Sequence, residues 1–567
     1  VQIHDVLIEN FRGIRQMEWQ PGTGITALVG PGDSGKTTIL DALGLLFSPR
    51  WSHTFTDNDF HGPSTANAGL LIRATVIDPP AELLGLDAFM NYVRGVDPTT
   101  GALVDEPDTE TPALTVELRV DRYLEPVWQV IADRQNTPGV LRASHRAAFG
   151  VVRVGSDNIT DLRWSRTSAL LRMTGAEDQR PTGQTLIEAS RAAKSATINA
   201  FHELTGIAEK VKTQARLLRG IRAEATLSAA LNADSFQLGE GAVSLHSGDV
   251  PLERHGLGSR RLTGIAVQLA NSEDARVLLV DELESGLEPF RIRHLLRTLA
   301  LRTSDKSPLT QVFVTTHSPV VLRELKHSDL AVVRSEPLHR TTAVVPGVTF
   351  QGALRKNAEA FLAPCVLICE GATEAGFARG VYAHAEGNDL HLITAVATAD
   401  AGGDGNLVSY ATAFADLGYR TAVFCDNDTK TDLSTLPSTT TLIRCDESKC
   451  TEQQIIESLS AEGLRQVLVH GMGNSSRQSV TAALASRECP TSVTDRIVAA
   501  EAVPDTQLAA LQNALWRLAK KEGPNWFKST SGGELLAEIA LSDSQAKTVD
   551  SPAARIVHEL LAWGASV

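Results

Sequence analysis

The stretch Gly30-Pro-Gly-Asp-Ser-Gly-Lys-Thr37 sets a glycine, four residues and then Gly-Lys-Thr in the pattern of a phosphate-binding loop, with Gly30, Gly35, Lys36 and Thr37 at the defining positions. In such a loop backbone N–H groups surround phosphates at a helix N-terminus, the lysine neutralises β/γ charge and the threonine hydroxyl holds Mg²⁺. Gly32, Asp33, Ser34 and Thr38 complete the segment expected to wrap ATP. The run Arg276-Val-Leu-Leu-Val-Asp-Glu282 is apolar and ends in two acids. Asp281 would hold the Mg²⁺ through water, and Glu282 would orient or deprotonate the attacking water. Gln311-Val-Phe-Val-Thr-Thr-His317 repeats the design, and places His317 to sense the γ-phosphate.

A second set of acids lies far downstream. Glu370-Gly-Ala-Thr-Glu374 falls where the apolar strand Cys365 to Cys369 turns into a helix, and Ala422-Val-Phe-Cys-Asp-Asn-Asp428 again ends a buried strand in carboxylates. Successive strand residues point to opposite faces, so Asp426 and Asp428 are expected to share one side. The carboxyl ends of parallel strands converge on one crevice. Four carboxylates there would repel one another unless divalent cations neutralised them, which points to one or two Mg²⁺ or Mn²⁺ ions. Asp400, in Ala399-Asp-Ala-Gly-Gly-Asp404, lies between the two runs and reads either as a further ligand or as a plain turn residue.

These residues need sheets to hold them. Ile25 to Val29 reads as a buried strand before the phosphate loop and Thr38 to Phe47 as a helix after it, the context that the loop requires. Residues 1–165 are expected to form the first part of an ATPase domain, 166–238 a helical insertion, 239–350 the second part of the ATPase and 351–567 a separate α/β unit with a helical C-terminal part. In that last unit, strand-like runs at Leu392 to Val396, Thr421 to Cys425 and Thr440 to Ile443 alternate with helical text and predict a parallel sheet.

The chain has 567 residues and a formal charge of -14, which argues against coating nucleic acid through net positive charge. From Arg142 to Arg222, however, 14 basic residues stand against 7 acidic ones. That surplus reads either as solvated helix faces or as an arm facing DNA phosphates or a second subunit. Six cysteines, none in a Cys-x-x-Cys pair, read as free core thiols in a reducing cytoplasm rather than as a zinc site. No apolar run is long enough to cross a membrane, and the alternating start from Val1 to Phe11 reads as a strand rather than a signal peptide.

The loop, the strand acids and the strand-end His317, with Ile8-Glu-Asn-Phe-Arg-Gly13 and Glu284-Ser-Gly-Leu-Glu-Pro289, resemble the ABC-type ATPase heads of chromosome-maintenance and RecF-like proteins. The resemblance implies heads that close in pairs around ATP, with a signature loop touching the γ-phosphate of the partner. His255-Gly-Leu-Gly-Ser-Arg-Arg-Leu262 is the candidate loop, with Gly258 and Ser259 as the contact, and Asp57 to Phe60 is a candidate lid. The later acids resemble a Toprim domain, the metal site shared by topoisomerases, primases and some nucleases. By that resemblance Glu370 and Glu374 ligate one site, Asp426 and Asp428 complete the cluster, Glu452 or Glu457 supplies a late ligand and Lys528 stabilises charge on the scissile phosphate.

An ABC-type head followed by Toprim resembles the OLD family of nucleases, tied to phage exclusion and defence. It implies an ATP-binding, metal-dependent DNA endonuclease, a homodimer or higher oligomer built through the helical insertion, and room for a helicase or other defence-system partner. Two other readings are an ATP-driven DNA-binding sensor with a structural Toprim domain and a topoisomerase, which would need a tyrosine nucleophile. None of the five tyrosines lies in a recognisable DNA-breakage domain.

Overall fold

In a computed structural model the chain divides into two compact units, Val1–Val345 and Pro346–Val567. The structure describes all residues except 63–67, 86, 98–99, 106–110, 156–161, 165–167, 169, 171–172, 174–201, 223–224, 232–242, 271–274, 305–308, 336–340, 388–395, 429, 521–525 and 566–567. Most of the expected helical insertion, 166–238, therefore lies outside the described residues, although its helix His202–Leu217 is described.

The first unit joins two sheets across one core. Its parallel sheet runs in the order Val151–Val154, Val277–Val280, Gln311–Thr315, Gly24–Val29, Leu330–Ser335, with Thr341–Val344 added antiparallel at the edge. Every residue of Val277–Val280 and of Gln311–Thr315 is buried, as expected for strands covered on both faces. An antiparallel sheet begins Ile14–Trp19, Gln2–Phe11, Leu70–Ile77, Thr111–Val120. The helix Lys36–Leu46 buries Ile39, Leu40, Leu43 and Leu46 in a cluster shared with Leu279 and Phe313 of the first sheet and Ile72, Val76 and Leu118 of the second. Gln311 pins the two sheets together: its side chain accepts from Ile3 N at 2.7 Å and donates to Ile3 O and Gly22 O, both at 3.0 Å.

The second unit is built on a four-stranded parallel sheet in the order Val396–Asp400, Cys365–Cys369, Arg420–Cys425, Thr441–Arg444. The second strand differs from the sequence expectation, because it occupies Val396–Asp400 and ends on Asp400 itself, while 392–395 lie outside the described residues. Helix Ala372–Gly387 packs on this sheet, and Thr530–Ser542 packs on that helix with their backbones in contact. A Cβ on Gly376 would collide with the carbonyl of Thr530, and one on Gly533 with the carbonyl of Thr373. Each unit thus has a parallel sheet with helices, and the second ends in a helical part that includes Asp505–Lys520 and Pro552–Ala565.

Candidate functional site

The phosphate loop leaves the central strand at Val29 and enters the helix at Lys36. Gly30 has φ 144° and packs against the strand Leu330–Ser335, where a Cβ would strike the Val333 carbonyl; Gly35 has φ 97°. Both need glycine. Gly32 and Asp33 are exposed, Asp33 with φ 57°, and Thr38 is half-buried near Gly13. The Lys36 ammonium donates to Gly30 O at 3.1 Å, Pro31 O at 2.6 Å and Ser34 Oγ at 3.3 Å. Burial lowers the Lys36 pKa to about 8, against the pull of Asp33 and Asp281. An ammonium held dry over a ring of loop backbone fits a polyphosphate, whose charge would restore the charged form.

The strand acids converge on the same place. Thr37 Oγ1 donates to Asp281 Oδ1 at 3.1 Å, and Thr315 Oγ1 donates to the same oxygen at 2.6 Å. A hydroxyl beside a carboxylate at the helix start is a donor set that suits Mg²⁺. Glu282 is exposed and takes φ 47°, a left-handed conformation that costs a non-glycine residue roughly 1–3 kcal/mol. Its N–H is held by Thr315 Oγ1 at 2.7 Å. His317 is exposed at the end of the next strand, and Glu284 accepts from its N–H at 2.6 Å and from Thr316 Oγ1 at 2.8 Å. Asp57–Asp59 forms a 3-10 turn fastened to the first strand by Arg12, which donates to Asp59 Oδ1 at 3.1 Å and also pairs with Asp41.

The candidate signature residues open the helix Leu257–Ala270, Gly258 buried and Ser259 half-buried. A Cβ on Gly258 would collide with the Gly286 carbonyl, so this glycine serves to seat the helix on the loop after the strand acids. Two arginines were missed by reading motifs alone. Arg261, 1% exposed, donates to the Asp281 carbonyl from within that helix, while its Nε and Nη1 have no hydrogen-bond partner among the described residues. Burial lowers its pKa against the attraction of Glu282, Glu284 and Asp281. Arg153, in Val151–Val154, pairs with Asp41 and lies 3.7 Å from Asp281 Oδ2. The available signal was a lone arginine inside the apolar run Val-Val-Arg-Val for Arg153, and for Arg261 its place at the head of the apolar run Leu262 to Val267.

In the second unit the carboxyl ends of the parallel strands gather the acids. Glu370 follows Cys365–Cys369, and one of its carboxylate oxygens accepts from Asp426 N at 3.1 Å. Asp426 follows Arg420–Cys425 and its Oδ1 accepts from Thr451 N at 2.7 Å and Thr451 Oγ1 at 2.9 Å. Glu374, 5% exposed in the first turn of its helix, accepts from Gly371 N at 3.0 Å. Glu452, 3% exposed, opens the helix Thr451–Glu457 and accepts from Thr373 Oγ1 at 3.1 Å. Burial first, then repulsion from Asp426 and Glu452, pushes the Glu374 pKa well up. Burial and Glu452 push Asp426 up to about 7. Carboxylates buried against one another in this way fit a divalent cation, which removes both penalties at once.

The remaining candidates are less buried. The strand stops at Cys425, so its alternation does not carry through to Asp428, which sits exposed on a bend while Asp426 turns inward. Asp400 pairs with Lys356 Nζ at 2.8 Å and accepts from Gly402 N at 2.7 Å, the turn-forming arrangement. Glu457 lies five residues beyond Glu452, about 140° around the helix, and pairs with Lys449 Nζ at 2.9 Å. Lys528 is exposed next to Phe527, whose carbonyl accepts from Thr373 Oγ1 at 2.9 Å. All six cysteines are buried.

The family model described as "AAA domain, putative AbiEii toxin, Type IV TA system" matches residues 25–323, more than half of the chain, and one described as "Overcoming lysogenization defect protein-like, TOPRIM domain" matches 361–428. The chain belongs to the OLD family of ATPase–Toprim proteins. The second match ends on Asp428 and so includes Glu370, Glu374 and Asp426. Among solved structures, this OLD-family chain is similar to an SMC head bound to the C-winged helix domain of ScpA, with TM-score 0.38, 15% identity and coverage of 61% of this chain and 97% of that one. It is also similar to the SMC head domain from Thermotoga maritima, with TM-score 0.32, 16% identity and coverage of 61% and 100%. A third is the Smc head with an extended coiled coil bound to the C-terminal domain of ScpA derived from Pyrococcus furiosus, with TM-score 0.36, 14% identity and coverage of 60% and 95%. No curated protein matches the chain significantly. Among the described residues no helix is long and apolar enough to cross a membrane.

Proposed function

We propose that this chain is an ATP-regulated DNA endonuclease of the cytoplasm that hydrolyses phosphodiesters at its Toprim acids and serves in phage defence. The observation that carries the reading is the meeting of Glu374 and Asp426 beside the buried Glu452, where burial and repulsion hold the protons of Glu374 and Asp426 on. Bound there, two divalent cations, Mg²⁺ or Mn²⁺, would supply an activated water and stabilise the leaving 3′ oxygen.

The chain's own groups prepare that chemistry. Glu370 holds the Asp426 backbone, Thr451 fixes the Asp426 carboxylate and Thr373 orients Glu452. Lys528, exposed and one residue from the Phe527 anchor to Thr373, would meet a phosphate oxygen. In the ATPase, Lys36 binds β/γ phosphate, Thr37 and Asp281 hold Mg²⁺, Glu282 orients water and His317 meets the γ-phosphate. Ser259 and the start of its helix are offered to a second head, so the enzyme works as a homodimer or higher oligomer and nucleotide state governs cleavage.

Supercoiled plasmid incubated with Mg²⁺ or Mn²⁺ tests the reading. Nicked or linear DNA is expected, lost in Asp426→Asn and altered in its nucleotide dependence in Lys36→Ala and Glu282→Gln. Relaxed closed circles would indicate a topoisomerase. Metal-independent binding with no strand breaks would make the chain an ATP-driven DNA-binding sensor.

A further inference from the structure

The geometry points to Cys450 as a metal ligand that turns the Toprim centre of this chain into a mixed sulfur and oxygen site, one that prefers borderline cations such as Mn²⁺, Co²⁺ or Zn²⁺ to Mg²⁺. The inference rests on the reading of the acids as a metal centre and names the class of cation that they take.

Cys450 Sγ, one carboxylate oxygen of Asp426 and one of Glu452 all lie within 4.8 Å of one another. Metal–sulfur bonds of about 2.3 Å and metal–oxygen bonds of about 2.1 Å set neighbouring ligands of one tetrahedral ion about 3.5 Å apart, so the three atoms would close by up to about 1.3 Å on binding. They are also held as a group. Cys450 caps the helix Thr451–Glu457, the next residue donates twice to Asp426, and the one after it is Glu452. Cys450 is fully buried and Glu452 is 3% exposed, so the sulfur faces the acids rather than solvent.

The other cysteines do not share this position. Cys445 Sγ lies 3.6 Å from Thr451 Oγ1 and is outside the three-atom group, and Cys365, Cys369 and Cys425 belong to the strands. An oxygen-bearing side chain at residue 450 would leave a hard site fit for Mg²⁺. Sulfur instead favours softer divalent ions. On binding, the sulfur–metal bond forms as the thiol proton passes to solvent.

The test uses the full chain, freed of metal and titrated with Co²⁺. A sulfur-to-cobalt charge-transfer absorption is expected in the near ultraviolet, displaced by Zn²⁺ and not by a large excess of Mg²⁺. The ATPase residues Thr37 and Asp281 offer only oxygen, so that centre is silent in this readout. Cys450→Ser should lose the absorption and bind Co²⁺ at least about tenfold more weakly. Cys450→Asp should keep Co²⁺ binding without the absorption and gain Mg²⁺ affinity, which separates ligand loss from misfolding. An undiminished absorption in both variants, or Co²⁺ bound without it in the natural chain, overturns the inference. Cleavage of DNA by a natural chain that shows no such absorption would overturn the sulfur ligand and leave the nuclease standing. An absorption that depends on Cys450 in a protein that never cuts DNA would uphold the ligand and remove the nuclease.

Discussion

The two centres of this chain use burial with opposite sign. At the phosphate loop one cation, Lys36, is buried over backbone carbonyls and its pKa falls to about 8. At the Toprim strands several acids are buried together, and Asp426 rises to about 7 while Glu374 rises well above its usual range. The first centre is therefore short of anions and the second short of cations. Each is completed by a ligand of the charge that burial has made scarce.

The sharpest way to break this comparison is to remove one centre and measure both. Lys36→Ala should cut ATP hydrolysis at least about a hundredfold and leave Mn²⁺ binding at the Toprim acids unchanged, whereas Asp426→Asn should weaken that Mn²⁺ binding by a similar factor and spare ATP hydrolysis. Phosphate-release assays and calorimetric Mn²⁺ titration in the presence of saturating Mg²⁺ would distinguish them. If either variant abolishes both activities, the centres are not separable.

A packing change should affect only one unit. Gly533→Ala drives a methyl into the Thr373 carbonyl and should cost about 1–3 kcal/mol in the urea unfolding of the second unit, with the ATPase transition unmoved. Two transitions followed by intrinsic fluorescence and by nucleotide protection would check it.

Acidity should then move the centres in opposite directions. Lys36 in the free loop loses its charge as pH rises through about 8, so ATP affinity should fall by about tenfold per unit above that point. Protons compete with metal at Asp426, so Mn²⁺ affinity should rise by at least about tenfold per unit up to about 7 and less steeply above it, where the Cys450 thiol still gives up its proton to the metal. Parallel titrations with the same sign would refute the contrast. The smallest effect is expected at Glu457, whose partner is Lys449: Glu457→Gln should change Mn²⁺ affinity by less than about threefold, within the range of an exposed ion pair.

How much could be read beforehand follows from how each centre is built. Gly30 to Thr37 is contiguous, and its function depends on local backbone shape, so eight letters carry nearly all of it. The α/β class and the strands ending at Glu370 and Asp426 were also legible, because buried parallel strands are continuous apolar runs. Choosing among Asp428, Asp400, Glu452 and Glu457 was not, since that depends on where a strand stops and on which side of a short helix faces the sheet. Glu452 and Glu457 differ by about 140° of rotation, and only the packed structure says which one is inward. Arg261 was hidden for a related reason: a buried arginine reads as a surface charge until its partner, the Asp281 carbonyl, is in place.

The glycine contacts between Ala372–Gly387 and Thr530–Ser542 also have a consequence in time. The helix that carries Glu374 finds backbone partners in Thr530 and Gly533, late in the unit. During synthesis, Glu370, Glu374, Asp426 and Glu452 have all left the ribosome well before those partners exist. Long-range contacts of this kind form late. The acids cannot settle into their packed arrangement until translation has passed Gly533, so a nascent chain carries all of them before it can hold them together.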